Sequence, residues 1–126
     1  MKKILIVDDS TTMRRMIRAT LQTLDNISFE EAQNGLQAIE CLTINSIDLM
    51  TLDLNMPDIH GLEVLKFINS HQSLNKIPII VLTARSDAQT KDEVMAAGAT
   101  QLMKKPFEPQ KLLAQVIRLL NTQSNA

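Results

Sequence analysis

Apolar positions along this chain keep two alternating rhythms. Ile4, Leu5, Ile6 and Val7 form one uninterrupted run, Ile79, Ile80, Val81 and Leu82 another, and residues 49–52 are broken only by Thr51. Continuous short runs of this kind mark strands buried on both faces. Between them the apolar residues fall at helical spacing. Met13, Met16, Ile17, Thr20, Leu21 and Leu24 trace one face behind the capping hydroxyls of Ser10, Thr11 and Thr12, leaving Arg14, Arg15 and Arg18 outside it. Leu36, Ile39 and Leu42 predict a second helix after the turn at Asn34 and Gly35, and Leu62, Leu65 and Ile68 a third. Leu113, Val116, Ile117 and Leu120 predict the inward face of a last helix begun by Pro109. Two weaker strands complete the pattern: residues 27–32, guarded as an edge by Glu30 and Glu31, and residues 101–103. Residues 87–95 predict a helix with little apolar face before Gly98, and hence a loosely held one. Five strands alternating with five helices predict a doubly wound α/β domain with a parallel sheet covered on both faces. The pattern does not order the strands.

Composition narrows the setting. At 126 residues the chain predicts one domain, residues 1–121, followed by a frayed polar tail, residues 122–126. A domain of this size buries roughly two thirds of the surface its unfolded form exposes. A net charge of -1 with interspersed signs gives no pull toward nucleic acid or an anionic membrane, so the expected partners are proteins. The one cysteine, Cys41, has no internal disulfide partner, as in a reducing compartment. The first apolar run is too short for a signal peptide core or a membrane span, and the expected location is the cytoplasm.

Chemistry collects where the strands end. The run at 49–52 stops at Asp53, and Pro57 and Gly61 prevent its continuing as a strand; the first run stops at Asp8 and Asp9, and the fourth at Thr83. Ligands of open α/β sheets bind outside the carboxyl ends of the strands. If strands one, three and four are central, all four side chains share one crevice, joined by a lysine from the fifth strand. Carboxylates ~4 Å apart repel by about 4 kcal/mol at an effective dielectric of 20, so three together call for a cation or a raised pKa. Mg²⁺, which prefers oxygen ligands and is commonly shared with phosphate, suits such a site. A carboxylate is also a nucleophile toward phosphorus, and phosphoryl transfer onto Asp53 follows as the expected chemistry. Taken singly, each aspartate is equally readable as a cap or turn residue and Thr83 as a satisfied hydroxyl.

As a set, Val7-Asp8-Asp9, Asp53 with Asn55-Met56-Pro57 and Gly61, Thr83-Ala84, Ala97-Gly98-Ala99 and Lys105-Pro106-Phe107 resemble the receiver domains of two-component response regulators, from Lys3 to Leu120. Ser10-Thr11-Thr12-Met13-Arg14-Arg15 resembles the chemotaxis branch of that family. The resemblance implies a flavodoxin-like strand order 2-1-3-4-5 and a Mg²⁺-dependent phosphoryl acceptor at Asp53. It makes Asp9 and Asp53 direct metal ligands, Asp8 a ligand through metal-bound water, and Asn55 a donor of its backbone carbonyl. Thr83 and Lys105 would contact the phosphoryl oxygens, Lys104 would be solvated, and the Lys105-Pro106 bond would be cis. The phosphoryl group would come from a phosphohistidine of a histidine kinase, and neither His60 nor His71 is that donor.

Two positions depart from the family pattern. His60 stands where an aspartate is usual, and Leu102 replaces the aromatic that many receivers rotate on phosphorylation. Arg85 falls at a position that varies and tunes phosphoryl lifetime. Leu112, Leu113, Val116, Ile117, Leu119 and Leu120 spread over an arc of about 160°, more than the roughly 100° stripe that covering a sheet requires. Either the wide arc packs more deeply against helix 1 or the sheet, or Leu112 and Leu119 lie on an exposed rim that Leu102 extends; the resemblance favours the rim, because receivers use the face of helix 4, strand 5 and helix 5 for partners or dimerisation. The expected protein is a stand-alone switch, assisting its own phosphorylation and dephosphorylation, monomeric or a weak phosphorylation-dependent dimer, that binds a separate protein target. Two other readings stay open: a phosphorelay shuttle feeding a histidine phosphotransfer protein, and a phosphatase of the haloacid dehalogenase type, although Asp8-Asp9-Ser10 lacks the D-x-D spacing of the latter.

Overall fold

The computed structural model describes residues 1–85 and 87–124, with backbone only for residues 122–124. Strands β1 (Lys2–Val7), β2 (Ile27–Ala32), β3 (Leu49–Leu52), β4 (Ile79–Thr83) and β5 (Gln101–Lys104) alternate with helices α1 (Thr11–Leu21), α2 (Gly35–Ile44), α3 (Gly61–Asn69), α4 (Ala88–Ala96) and α5 (Pro109–Ser124). All strand pairs are parallel, in the order β2-β1-β3-β4-β5. The central strands are buried on both faces because successive side chains enter different cores. Leu5, Val7, Met50, Leu52 and Val81 pack with α2, α3 and α4; Ile4, Ile6, Leu49, Ile80 and Leu82 pack with α1 and α5.

Helix faces depart from the expected ones in three places. On α1 the buried residues are Arg14, Ile17 and Leu21, while Met16 is 48% exposed. Burial of an arginine at the i, i+3, i+7 stripe is tolerable here because its guanidinium finds acceptors on Asp8, Thr11 and Glu31. On α2 the inward face is Gly35, Ala38 and Leu42, and Leu36 is 54% exposed. Small residues bring this helix in close: a Cβ on Gly35 would lie 2.7 Å from the Cβ of Ile59. On α5 the correction bears on function. Leu112 and Leu119, expected on an exposed rim, are 0% and 7% exposed, and Ile117, expected inward, is 40% exposed. The wide apolar arc is consumed by two surfaces, because α5 packs on α1 as well as on the sheet.

Other expectations are met. Only Val94 of α4 is buried, the sparse anchoring its composition predicts, and Asp87 caps its start by accepting from the Thr90 N–H. Gly98 follows α4 with φ at +112°, a left-handed conformation that suits glycine. The Lys105-Pro106 bond is cis. The boundary of α5 is a correction: the helix continues to Ser124, where a frayed tail was expected from residue 122, because its backbone ladder runs on past the last apolar position; residues 125 and 126 lie outside the described residues.

The interior holds one exception to polar satisfaction among the described residues. Thr51 is fully buried in β3, and its Oγ1 has no hydrogen-bond partner. Replacing a lone buried hydroxyl by a methyl of the same shape removes a desolvation cost, so Thr51→Val is expected to raise unfolding free energy by about 1 kcal/mol. Urea titration checks it, and a loss of stability would show that the hydroxyl is satisfied in solution.

Candidate functional site

The ladder hydrogen bonds of the sheet run one residue past the strands. Asp8 N–H donates to the Ala32 carbonyl (3.1 Å), Asp53 N–H to Val7 (3.0 Å) and Lys105 N–H to Thr83 (2.8 Å). Extended registration of this kind delivers Asp8, Asp53 and Lys105 to one edge of the sheet, at the point where the strand order reverses. Asp9 joins them from the start of the β1–α1 loop, and one carboxylate oxygen from each of Asp8, Asp9 and Asp53 lies within 4.8 Å of the others. Asp8 and Asp53 are buried, whereas Asp9 is exposed.

Lys105 ties the two buried carboxylates together, with Nζ 2.7 Å from Asp8 Oδ2 and 3.3 Å from Asp53 Oδ1. Asp8 Oδ1 accepts from the Ser10 N–H (2.9 Å), and Asp53 Oδ1 accepts a longer bond from the Asn55 N–H (3.4 Å). Burial pulls the Lys105 ammonium down, but its hydrogen bond to Asp8 and the attraction of Asp53 outweigh that, leaving its pKa above the usual lysine value. Burial pushes the Asp53 carboxyl up; Lys105 pulls it back, Asp8 pushes it further, and the net shift is upward. The asymmetry follows from distance: Lys105 is engaged most closely by Asp8, so it keeps its charge while Asp53 is incompletely compensated.

Thr83 is fully buried at the end of β4, and its Oγ1 accepts from the Arg85 N–H at 3.2 Å. A cleft of about 230 Å³ opens beside it, lined by Asn55, His60, Arg85 and Gln89 among others. Lys104 is exposed, and Leu102 is half-buried against the α2–α4 core. The loop after Asp53 is held from three directions. Gly61 N–H donates to the Leu54 carbonyl (2.8 Å), His60 Nδ1 accepts from the Leu62 N–H (3.1 Å), and the Asp58 carboxylate accepts from both Gly35 and Leu36 N–H (2.9 Å each).

Sequence reading missed Arg14 and Asp58. Arg14 Nη1 donates to the Asp8 carbonyl at 2.6 Å, and Nε to Glu31 Oε1 at 3.0 Å. A signal was present, since Arg14 shares a helical stripe with Ile17 and Leu21. For Asp58 there was none: it caps a helix that starts 23 residues earlier in the chain.

A parallel sheet in this order, with carboxylates from two strand ends and a lysine from a third at the switch point, defines a receiver-type domain. The chain belongs to the response regulator receiver domain family, whose model matches residues 4–117. It is 36% identical to the chemotaxis protein CheY homolog of Campylobacter jejuni, over 97% of this chain and 95% of that protein. It is also 36% identical to chemotaxis protein CheY1 of Helicobacter pylori, over 95% and 98% of the two chains. Among solved structures, the chemotaxis response regulator CheY4 of Vibrio cholerae superposes with a TM-score of 0.87 at 35% identity, over 95% of this chain and 99% of that one. No helix among the described residues is long and apolar enough to cross a membrane.

Proposed function

We propose that this chain is a phospho-acceptor switch: Asp53 takes a phosphoryl group from the phosphohistidine of a histidine kinase, with Mg²⁺, and the phosphorylated form changes its affinity for a separate protein, in chemotaxis signalling. The observation that carries this reading is the convergence of Asp8, Asp9 and Asp53 oxygens within 4.8 Å of one another beside a lysine bonded to two of the three residues.

The donor set suits the metal. Three carboxylates and one ammonium sum to -2, which a divalent cation cancels, and the 4.8 Å spread of the oxygens is close to the about 4.2 Å across a shell of ligands at about 2.1 Å. Asp8, Asp9 and Asp53 would hold the ion together with the backbone carbonyl of Asn55. Bound there, Mg²⁺ supplies charge neutralisation for the incoming phosphoryl oxygens.

The chain's own residues do the rest. A carboxylate oxygen of Asp53 forms its bond to phosphorus as the phosphorus–nitrogen bond of the donor breaks, and the imidazole leaves with that electron pair. Lys105, kept charged by Asp8, is within reach to donate to a phosphoryl oxygen. Thr83 can donate its hydroxyl hydrogen to another while its oxygen still accepts from Arg85, so the start of the β4–α4 loop follows the hydroxyl. With Leu102 in place of an aromatic, this link to α4 is the route by which the state of Asp53 reaches the surface. That surface is the face made by α4, β5 and α5, on which the groove between β5 and α5 is lined by Leu102, Lys104, Lys111 and Ala114. Leu112 and Leu119 are withdrawn from it by their burial.

The test is incubation with acetyl phosphate and Mg²⁺ followed by intact-mass analysis. One phosphoryl increment is expected on the parent, and none on Asp53→Asn or after chelation. Equal labelling of Asp53→Asn would falsify the assignment.

A further inference from the structure

We propose that Arg14 is a positioning residue for the divalent-metal site, acting through the Asp8–Asp9 peptide; the proposal rests on the reading of the acidic cluster as that site. The guanidinium is nearly buried and divided among three acceptors: the Asp8 carbonyl (2.6 Å), Glu31 Oε1 (3.0 Å) and Thr11 Oγ1 (3.2 Å). Glu31 is braced in turn by Arg18 (2.9 Å), which lies over the ring of Phe29 at 5.3 Å. The side chain of Asp8 is already held by Ser10 and Lys105, so Arg14 immobilises what remains of the residue, its carbonyl. A peptide unit is planar, and fixing that oxygen fixes the Asp9 nitrogen and the direction in which Asp9 leaves the strand. Asp9 is the exposed carboxylate of the cluster, and these contacts do not restrain its side chain. The carbonyl clamp is thus the restraint that aims Asp9 at Asp53.

Two roles for Arg14 predict opposite signs. A positive charge beside an acidic site weakens cation binding, so if Arg14 acts only by its field, removing it tightens Mg²⁺. If it positions Asp9, removing it weakens Mg²⁺, as loss of an outer-shell partner does, by about tenfold or more. A merely structural role lowers the melting temperature and leaves the affinity of the folded protein unchanged.

Calorimetric titration of MgCl₂ into chelator-stripped protein, well below each variant's melting temperature, decides among them. Arg14→Met and Arg14→Lys are both expected to weaken binding about tenfold, the second although it keeps the charge, because an ammonium cannot span the Asp8 carbonyl and Glu31 together. Unchanged or tighter binding by folded Arg14→Met overturns the proposal. Should that variant not fold, Arg14→Lys with parental affinity does the same. A parent that binds no Mg²⁺ defeats the metal reading itself, a result distinct from a parent that binds and variants that match it.

Discussion

Saturating Mg²⁺ is expected to raise the thermal midpoint of this protein by about 8–14 °C. A ligand at about 100 times its dissociation constant, bound only to the native state, contributes about 2.7 kcal/mol, and a domain of this size shifts by roughly 3–5 °C per kcal/mol. The acid cluster makes the effect large, because the metal-free fold carries a burden the ion relieves. Asp53 is buried, faces Asp8, and is only partly offset by Lys105, so its carboxyl titrates above the usual range. A raised carboxyl favours the fold fully below the unfolded pKa of about 3.9 and loses that contribution as pH rises through the native value. At neutral pH in chelator, Asp53→Asn should therefore melt several degrees above the parent, and the gap should close as the pH is lowered toward 4. In Mg²⁺ the order should reverse. A parent that melts at one temperature with and without saturating Mg²⁺ would sink the idea.

The second large effect lies at a glycine. A Cβ on Gly61 would sit 2.5 Å from the Asp53 carbonyl oxygen and 2.7 Å from the Leu54 Cα. Both are backbone atoms, so relief requires moving β3 away from α3 rather than turning a side chain. Overpacking against main chain costs about 3 kcal/mol, and because Gly61 is the first residue of α3 alanine recovers only part of the roughly 1 kcal/mol of propensity it gains in a helix interior. Gly61→Ala is expected to lose about 2–3 kcal/mol in urea titration and to slow labelling of Asp53, whose carbonyl is the atom displaced. A variant with parental stability would mean that α3 backs off freely.

Legibility in the sequence followed how many surfaces compete for a residue. Strands β1, β3 and β4 were plain because burial on both faces leaves an uninterrupted run, and the carboxylates that stop two of those runs marked the site. Strand order came only through resemblance, since periodicity says nothing about which strand lies beside which. Helix faces failed where a second contact overrode the stripe. Arg14 is buried because Asp8 and Glu31 satisfy it; Leu112 and Leu119 are buried because α5 serves α1 and the sheet at once; Leu36 is exposed because Gly35 and Ala38 bring α2 in on its small side. Asp58 was illegible for a different reason, since a side chain capping a distant helix leaves no local pattern.

That cap has a consequence for how the molecule opens. The first amides of a helix have no partner within it and ordinarily exchange their protons with water readily. Those of Gly35 and Leu36 are instead held by Asp58, on the loop that leaves the acceptor. They exchange only when Asp58 lets go of them, by turning its side chain or by moving with its loop, so the two backbone protons at the start of α2 report on the hold of the segment beside Asp53.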